Sequence, residues 1–277
     1  MSAVQPSRSP LKACARRVLG RYWYPAMEMR NKVVLGPGAL ALRRMAEAEV
    51  TCRKGLLPPQ PPATVVTIIP TYRRPELLKR AVQSALDQTV RDHSILIVDD
   101  CGGLPALPDD PRLRAVSLSR NTGCVGAVRN IGIRLTESQY VAFLDDDNEW
   151  EKFHLETALT ALRTGPPDRR PGLVYTSVTR YFPDGTQRDV LATPFDRVEL
   201  MRSNYIDVSA MVIRRFEKLH FSWIPRPMEV RPREDWELVY RLSRRVRVAH
   251  VDVPTVRYLL NPGSYFTFGF IPQGNGQ

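Results

Sequence analysis

The chain has 277 residues, enough for one large α/β domain with an extension or for two small domains. Its 43% apolar content supplies a full core and excludes global disorder. Lys and Arg outnumber Asp and Glu by 40 to 29, a formal charge of +11 that favours anionic partners without choosing among a nucleotide diphosphate, a nucleic acid and an anionic membrane surface.

In chain order, residues 1–57 read as a basic extension, with a helix expected over Ala39–Ala48. Arg16 and Arg17 interrupt its first apolar stretch, so it does not have the pattern of a secretory signal, and no run of apolar residues is long enough for a transmembrane helix. The basic, aromatic stretch Arg16–Tyr24 leaves room for a peripheral membrane contact. Four prolines within residues 58–62 predict a stiff linker. One domain is expected over 63–277, read in two halves, 63–150 and 151–277.

The β-branched run Thr64–Ile69 predicts a buried strand. Pro75 opens a helix whose Leu77, Leu78, Ala81, Val82, Ala85 and Leu86 form one apolar stripe. Further strands are expected at Ser94–Val98, Arg112–Leu118 and Tyr140–Leu144, with a helix at Thr122–Leu135. Short apolar strands alternating with helices predict a mostly parallel sheet covered on both faces, with ligands at the carboxyl ends of its strands. In the second half, Leu173–Arg180 and Asp207–Ile213 read as strands, Pro183-Asp184-Gly185 as a turn and Glu234–Leu242 as a helix. Val246–Asp252 and Thr255–Leu260 read as two more strands. The glycine-rich tail carries Tyr265, Phe266, Phe268 and Phe270, which either cover a site or pack.

Five segments carry candidate chemistry. Phe143-Leu144 delivers Asp145-Asp146-Asp147, a concentration of negative charge that becomes favourable around a divalent cation such as Mg²⁺ or Mn²⁺. If extended, it would point Asp145 and Asp147 to one side and Asp146 to the other. At the end of the first strand, Pro70-Thr71-Tyr72-Arg73-Arg74 offers a hydroxyl and a ring for a base and arginines for phosphate. Asp99-Asp100 at a strand end can accept from a base edge or a ribose. Asn121-Thr122-Gly123, then Gly126 and Arg129, combine close backbone approach with a cation facing the strand ends. Glu234-Asp235-Trp236 places carboxylates at a helix start, where the dipole stabilises an anionic base. Trp223, Glu234, Trp236 and the arginines at 226, 231 and 233 lie around that base and suit an acceptor wall, with an acceptor bearing phosphate or carboxylate in view. The cysteines Cys14, Cys52, Cys101 and Cys124 form no zinc or redox spacing and read as buried or half-buried hydrophobes in a reducing, cytoplasmic setting.

In order and spacing, these segments resemble the family 2 glycosyltransferases over roughly Thr64 to Leu242. The resemblance implies an inverting enzyme of the GT-A fold, with a catalytic domain over 63–277 whose nucleotide-binding half is 63–150 and whose acceptor-binding half is 151–277. Pro70, Thr71, Tyr72, Arg73, Asp99, Asp100, Asn121, Gly126 and Arg129 would hold the nucleotide of a nucleoside diphosphate sugar, most often UDP-linked. Asp145 and Asp146 would lie at its ribose and diphosphate, Asp147 would bind Mn²⁺ or Mg²⁺, and Asp235 would be the base. Cys101-Gly102 departs from the more usual Gly-Ser after the paired aspartates. The acceptor, whether glycan, lipid-linked or a small natural product, is open. Competing readings are a non-catalytic sugar-nucleotide-binding module on the same fold, a nucleotidyltransferase and a nucleic-acid binder. The nucleotidyltransferase reading lacks its glycine- and lysine-rich phosphate loop. A nucleic-acid partner is not expected, because no such motif accompanies the charge and the aspartate clusters would repel phosphates.

Overall fold

A computed structural model describes residues 18–226 and 230–260. Among these residues nine strands form one sheet in the order β3-β2-β1-β4-β8-β6-β9-β5, with β7 paired to β6 outside this path. The first half repeats one unit. β1 (Val65–Thr71) is followed by α2 (Pro75–Leu86), β2 (His93–Asp99) and β3 (Leu113–Ser117), then α3 (Val125–Arg134) and β4 (Tyr140–Phe143). These strands pair in parallel, in the register Thr71↔Asp99 and Asp99↔Ser117, so their polar ends come level at one edge. Every residue of β1 and β2 is buried, as expected for parallel strands covered on both faces. Gly132 allows that cover: a Cβ there would lie 2.6 Å from Ile68 Cγ2 and 3.3 Å from Val98 Cγ2.

The second half is not parallel. β8 (Met211–Arg214) runs antiparallel to β4 and to β6 (Leu173–Tyr181). β6 pairs in parallel with β9 (Val248–Leu259), which pairs antiparallel with the short β5 (Asn148–Trp150), and β7 (Gln187–Leu191) pairs antiparallel with β6. The sheet is therefore mixed. The two strands expected over 246–260 are one 12-residue strand, with register shifts against β6 near Ser177. The strand expected over Asp207–Ile213 begins as a 3₁₀ turn, because the Asp207 carboxylate caps Ser209 N at 2.8 Å and β8 starts only at Met211. Two helices follow the first half, α4 (His154–Arg163) and the one-turn α5 (Arg197–Leu200), and α6 (Glu234–Leu242) follows β8.

The expected helix of the extension is far longer. α1 runs Trp23–Lys54 with Pro37 inside it. It packs along α3 and α6, with Tyr24 4.0 Å from the Tyr240 ring and 5.6 Å from Trp236, centroid to centroid. Gly38 admits Pro225, whose Cγ would sit 3.0 Å from a Cβ at that position. Three polar ties fix the helix. Glu28 accepts from Arg226 at 3.0 Å, Asn31 Nδ2 donates to Arg231 O at 2.9 Å, and buried Glu49 accepts from the Ser119 backbone and hydroxyl. The proline-rich segment is pinned as well, since Arg114 donates to Pro58 O and Gln60 Oε1, and Gln60 donates to Ser138 Oγ. No helix among the described residues is long and apolar enough to cross a membrane. Cys52 and Cys101 are exposed and Cys124 is half-buried, all free, so burial describes only the last of these. Cys14 and the aromatic tail from Tyr265 lie outside the described residues.

Candidate active site

Three strand ends and one helix start build the site. β1 delivers Thr71, whose Oγ1 donates to Asp146 Oδ2 at 2.7 Å. The next turn places Arg73 at φ 54° with its guanidinium 5.0 Å from the Tyr72 ring centroid, leaving that ring half-exposed at the surface. Arg74, one residue on, enters the site. Its Nη1 donates to Asp146 Oδ1 at 3.1 Å and Asp147 Oδ2 at 2.9 Å. The acidic segment is a turn closed by Asn148 N to Asp145 O at 3.1 Å, so the alternation expected of an extended chain does not hold. Asp146 and Asp147 share Arg74, and Asp145 turns to Arg129.

β2 delivers the paired aspartates into loop-building roles. Asp99 accepts from Gly102 N at 2.7 Å and Gly103 N at 3.0 Å, and Asp100 from Thr122 N at 2.7 Å and Thr122 Oγ1 at 3.0 Å. Burial pushes the Asp100 carboxyl up, against the pull of those donors. Asn121 Nδ2 closes on Asp100 O at 3.2 Å. Only glycine fits at 102, where a Cβ would lie 2.5 Å from Arg73 N and 3.0 Å from the Tyr72 ring. Cys101-Gly102 thus presses the second loop onto the first, with Cys101 at φ 64°.

Arg129 is corrected from a nucleotide contact to an internal tie. Its side chain is 3% exposed, and its two terminal nitrogens reach Asp145 and, at 3.2 Å, Glu234 Oε1. Gly126 allows this by bringing α3 within 3.5 Å of Glu234 Cγ, counted from a Cβ built at the glycine. Burial pushes Glu234 up, but Arg129 and Arg233 outweigh it and hold the carboxyl below its ordinary value. Asp235 goes the other way, raised to about 6 by burial and then by Glu234. Its Oδ2 accepts from Asn204 Nδ2 at 3.0 Å. A cavity of ≈ 30 Å³ opens beside it, lined in part by Asn204, Tyr205, Asp207, Arg180 and Tyr258. That volume admits a hydroxyl-sized group.

Trp236 is not an acceptor wall. It is 5% exposed, packs on Tyr24 and donates its indole N–H to Leu200 O. Trp223 is half-buried against His220, 6.4 Å between ring centroids, and does not line the cavity. Arg226 is also structural. Its guanidinium holds Glu28, Pro232 O and Ser222 Oγ, and with its side chain 1% exposed it offers no face to an acceptor.

The sequence reading missed Asp207, Asn204 and Ser209. Asp207 is half-buried, and desolvation followed by Asp145 raises it to about 7. Ser209 Oγ accepts from Asp145 N at 3.1 Å and Asn148 Nδ2 at 2.9 Å, fixing the acidic turn from the side. Their signal was weak, a lone Asp two residues before a Ser at a strand start. Asp147 is raised to about 7 by burial, then by Asp145 and Asp146, with Arg74 opposing. The basin thus holds more carboxylate charge than Arg74 and Arg129 balance. Among the described residues no three His, Cys, Asp or Glu side chains form a ready-made metal cage. Mg²⁺-like ions need only one or two carboxylates with substrate phosphates, and the undercompensated Asp145–Asp147 turn fits that mode.

A sequence model described as Glycosyl transferase family 2 matches residues 66–221, more than half of the chain. The chain belongs to this family. The matched stretch runs from β1 to the loop after β8 and holds the acidic turn and both loops of the donor half, while Glu234 and Asp235 lie beyond it. TuaG of Bacillus subtilis (strain 168), named for teichuronic acid biosynthesis, is 33% identical over 132 residues, 45% of this chain and 50% of its own. The Staphylococcus aureus (strain N315) poly(ribitol-phosphate) β-N-acetylglucosaminyltransferase TarP is 28% identical over 56% of this chain and 49% of its own. The matches span about half the length of these relatives. Two solved structures share the fold. S. aureus TarS 1-349 in complex with UDP-GlcNAc aligns at TM-score 0.54 and 14% identity, over 75% of this chain and 62% of that one. The mannosyltransferase PcManGT of Pyrobaculum calidifontis, with GDP-Man and Mn²⁺, aligns at TM-score 0.51 and 16% identity, over 84% and 70%. The fold is therefore GT-A.

Proposed function

We propose that this protein is an inverting glycosyltransferase that moves a sugar from a nucleoside diphosphate sugar, UDP-linked in the first instance, to a hydroxyl of a glycan acceptor. The observation that carries the reading is Asp235. It is a buried carboxylate oriented by Asn204, it lines a hydroxyl-sized cavity, and it is joined through Glu234 and Arg129 to the acidic turn at the strand ends. TarP and TarS support a sugar nucleotide with a glycan-type acceptor, since one is named a poly(ribitol-phosphate) β-N-acetylglucosaminyltransferase and the other was solved with UDP-GlcNAc.

In this reading Tyr72, half-exposed on the first loop, stacks the base, and the Asp99 and Asp100 loops shape its pocket. A divalent ion held at Asp147 and Asp145 would neutralise charge on the departing diphosphate. Arg74, already on the acid pair, orients Asp146 and Asp147 and adds a cation beside the phosphates. Asp235 accepts the proton of the attacking hydroxyl, and Asn204 keeps its receiving oxygen aimed. Attack from the side opposite the leaving group inverts the anomeric centre.

Calorimetric titration with UDP, GDP and dTDP, with and without Mn²⁺, tests the donor half. Metal-dependent binding of one nucleotide, lost in Asp147→Ala, is the expected result. A folded protein that binds none of the three would instead favour a non-catalytic module on the same fold.

A further inference from the structure

α1 carries two apolar faces. The inward one, with Tyr24, Leu42, Ala46 and Val50, is buried against α3 and α6. The outward one has no counterpart among the described residues. Ala26, Met29, Val33, Pro37 and Leu40 follow one another at spacings of three and four and so form a single ridge. Met29 is 64% exposed, Val33 71% and Leu40 56%. A soluble chain places single apolar residues at its surface without consequence, whereas a contiguous ridge marks an interaction site.

The charge around the ridge has one sign. The exposed charged residues over 22–44 are Arg30, Lys32, Arg43 and Arg44. The one acid of that stretch, Glu28, is turned inward onto Arg226, and Arg43 alone leans on an acid, Glu47, one turn further along. Two copies meeting ridge to ridge would bring these cations together with little to offset them. An anionic lipid surface complements them, and the helix is too polar to cross a bilayer.

We propose that the outer face of α1, the Ala26–Leu40 ridge with Arg30, Lys32 and Arg44 beside it, is a docking surface for an anionic membrane, with the helix lying flat in the headgroup region. No ridge residue lines the cavity beside Asp235, so the proposal holds or fails independently of the transfer chemistry.

The test is co-sedimentation of the full chain with phosphatidylcholine vesicles, with and without phosphatidylglycerol, at low and high salt. Salt-sensitive binding to the anionic vesicles is expected. Lys32→Glu/Arg44→Glu should weaken it at least ~25-fold, at roughly fivefold per cation. Val33→Glu/Leu40→Glu should abolish it, while circular dichroism and thermal unfolding show each variant folded as the parent is. Folded parent protein that stays in the supernatant overturns the proposal, as does binding that survives both double variants. Self-association of the parent, lost in Val33→Glu/Leu40→Glu and unaccompanied by vesicle binding, overturns it in favour of a second copy.

Discussion

Asp235 and Glu234 are neighbours on one helix turn with opposite electrostatics. Arg129 and Arg233 keep Glu234 an anion, and that anion, together with burial, raises Asp235. A base must be ionised to act, so kcat/KM should rise with pH through about 6 and level off above it. Asn204 donates to the ionised form of Asp235, so Asn204→Ala should move that limb to higher pH. A pH–rate profile checks this, and an unmoved limb would remove Asn204 from the role. Asp235→Asn should lower turnover by about 10²–10⁴-fold with nucleotide affinity nearly unchanged. A fully active variant in a single-turnover assay would sink the assignment of the base. At this scale the sequence was a partial guide. Asp147 and Asp235 were named from their motifs and lie in one charged basin. Arg129, a conspicuous cation in a glycine-rich segment, was expected to face a ligand. Its role is set by carboxylates 16 and 105 residues away, which local spacing does not reveal.

The elements of the donor half were legible because each has its own period. β1, β2 and β4 are short apolar runs ending in polar residues, and α2 carries a clean stripe. The acceptor half was harder to read, because its strands are set by tertiary pairing. β9 bridges β6 and β5, so neither face of it alternates cleanly, and Asp207 diverts the start of β8 into a capped turn. α1 was underestimated for a related reason. Apolar residues on two faces blur the helical period, and Pro37 with its flanking glycines reads as a break. One prediction belongs to this scale. Gly132→Ala places a methyl 2.6 Å from Ile68 Cγ2 between α3 and the sheet. Overpacking costs about 1–3 kcal/mol, against which the helix-propensity gain of about 1 kcal/mol works. Urea unfolding should show a lower midpoint with an unchanged slope, and a raised midpoint would mean that the sheet yields there freely.

Across the whole molecule, buried groups set opposing responses to pH. Burial holds His93 and His154 down at about 3, far below the ordinary 6.5. Their stabilising contribution is present above pH 6.5 and is lost as pH falls from there toward 3, because the unfolded chain takes up protons first. Asp207 is raised to about 7 from 3.8, so its contribution is present below 3.8 and is lost as pH rises toward 7. Each group tilts stability by about 1.4 kcal/mol per pH unit within its window. Between pH 4 and 6.5 in a chelator, His154→Gln and Asp207→Asn should change the slope of unfolding free energy with opposite signs. Slopes that move together would contradict the burial of one of them. The ties of α1 also bear on how the chain is made. Glu28 meets its arginine 198 residues further on, and Asn31 its carbonyl 200 residues further on. During synthesis at about 5–20 residues per second, the helix emerges and then waits ~10–40 s for the loop that receives it. Through that interval Tyr24 has no core to enter, because Trp236 and Tyr240 are made still later, whereas the far end of α1 can already settle through Glu49 on Ser119; the near end of the helix is thus among the last parts to be seated, and any partner that shields it on the ribosome has its chance then.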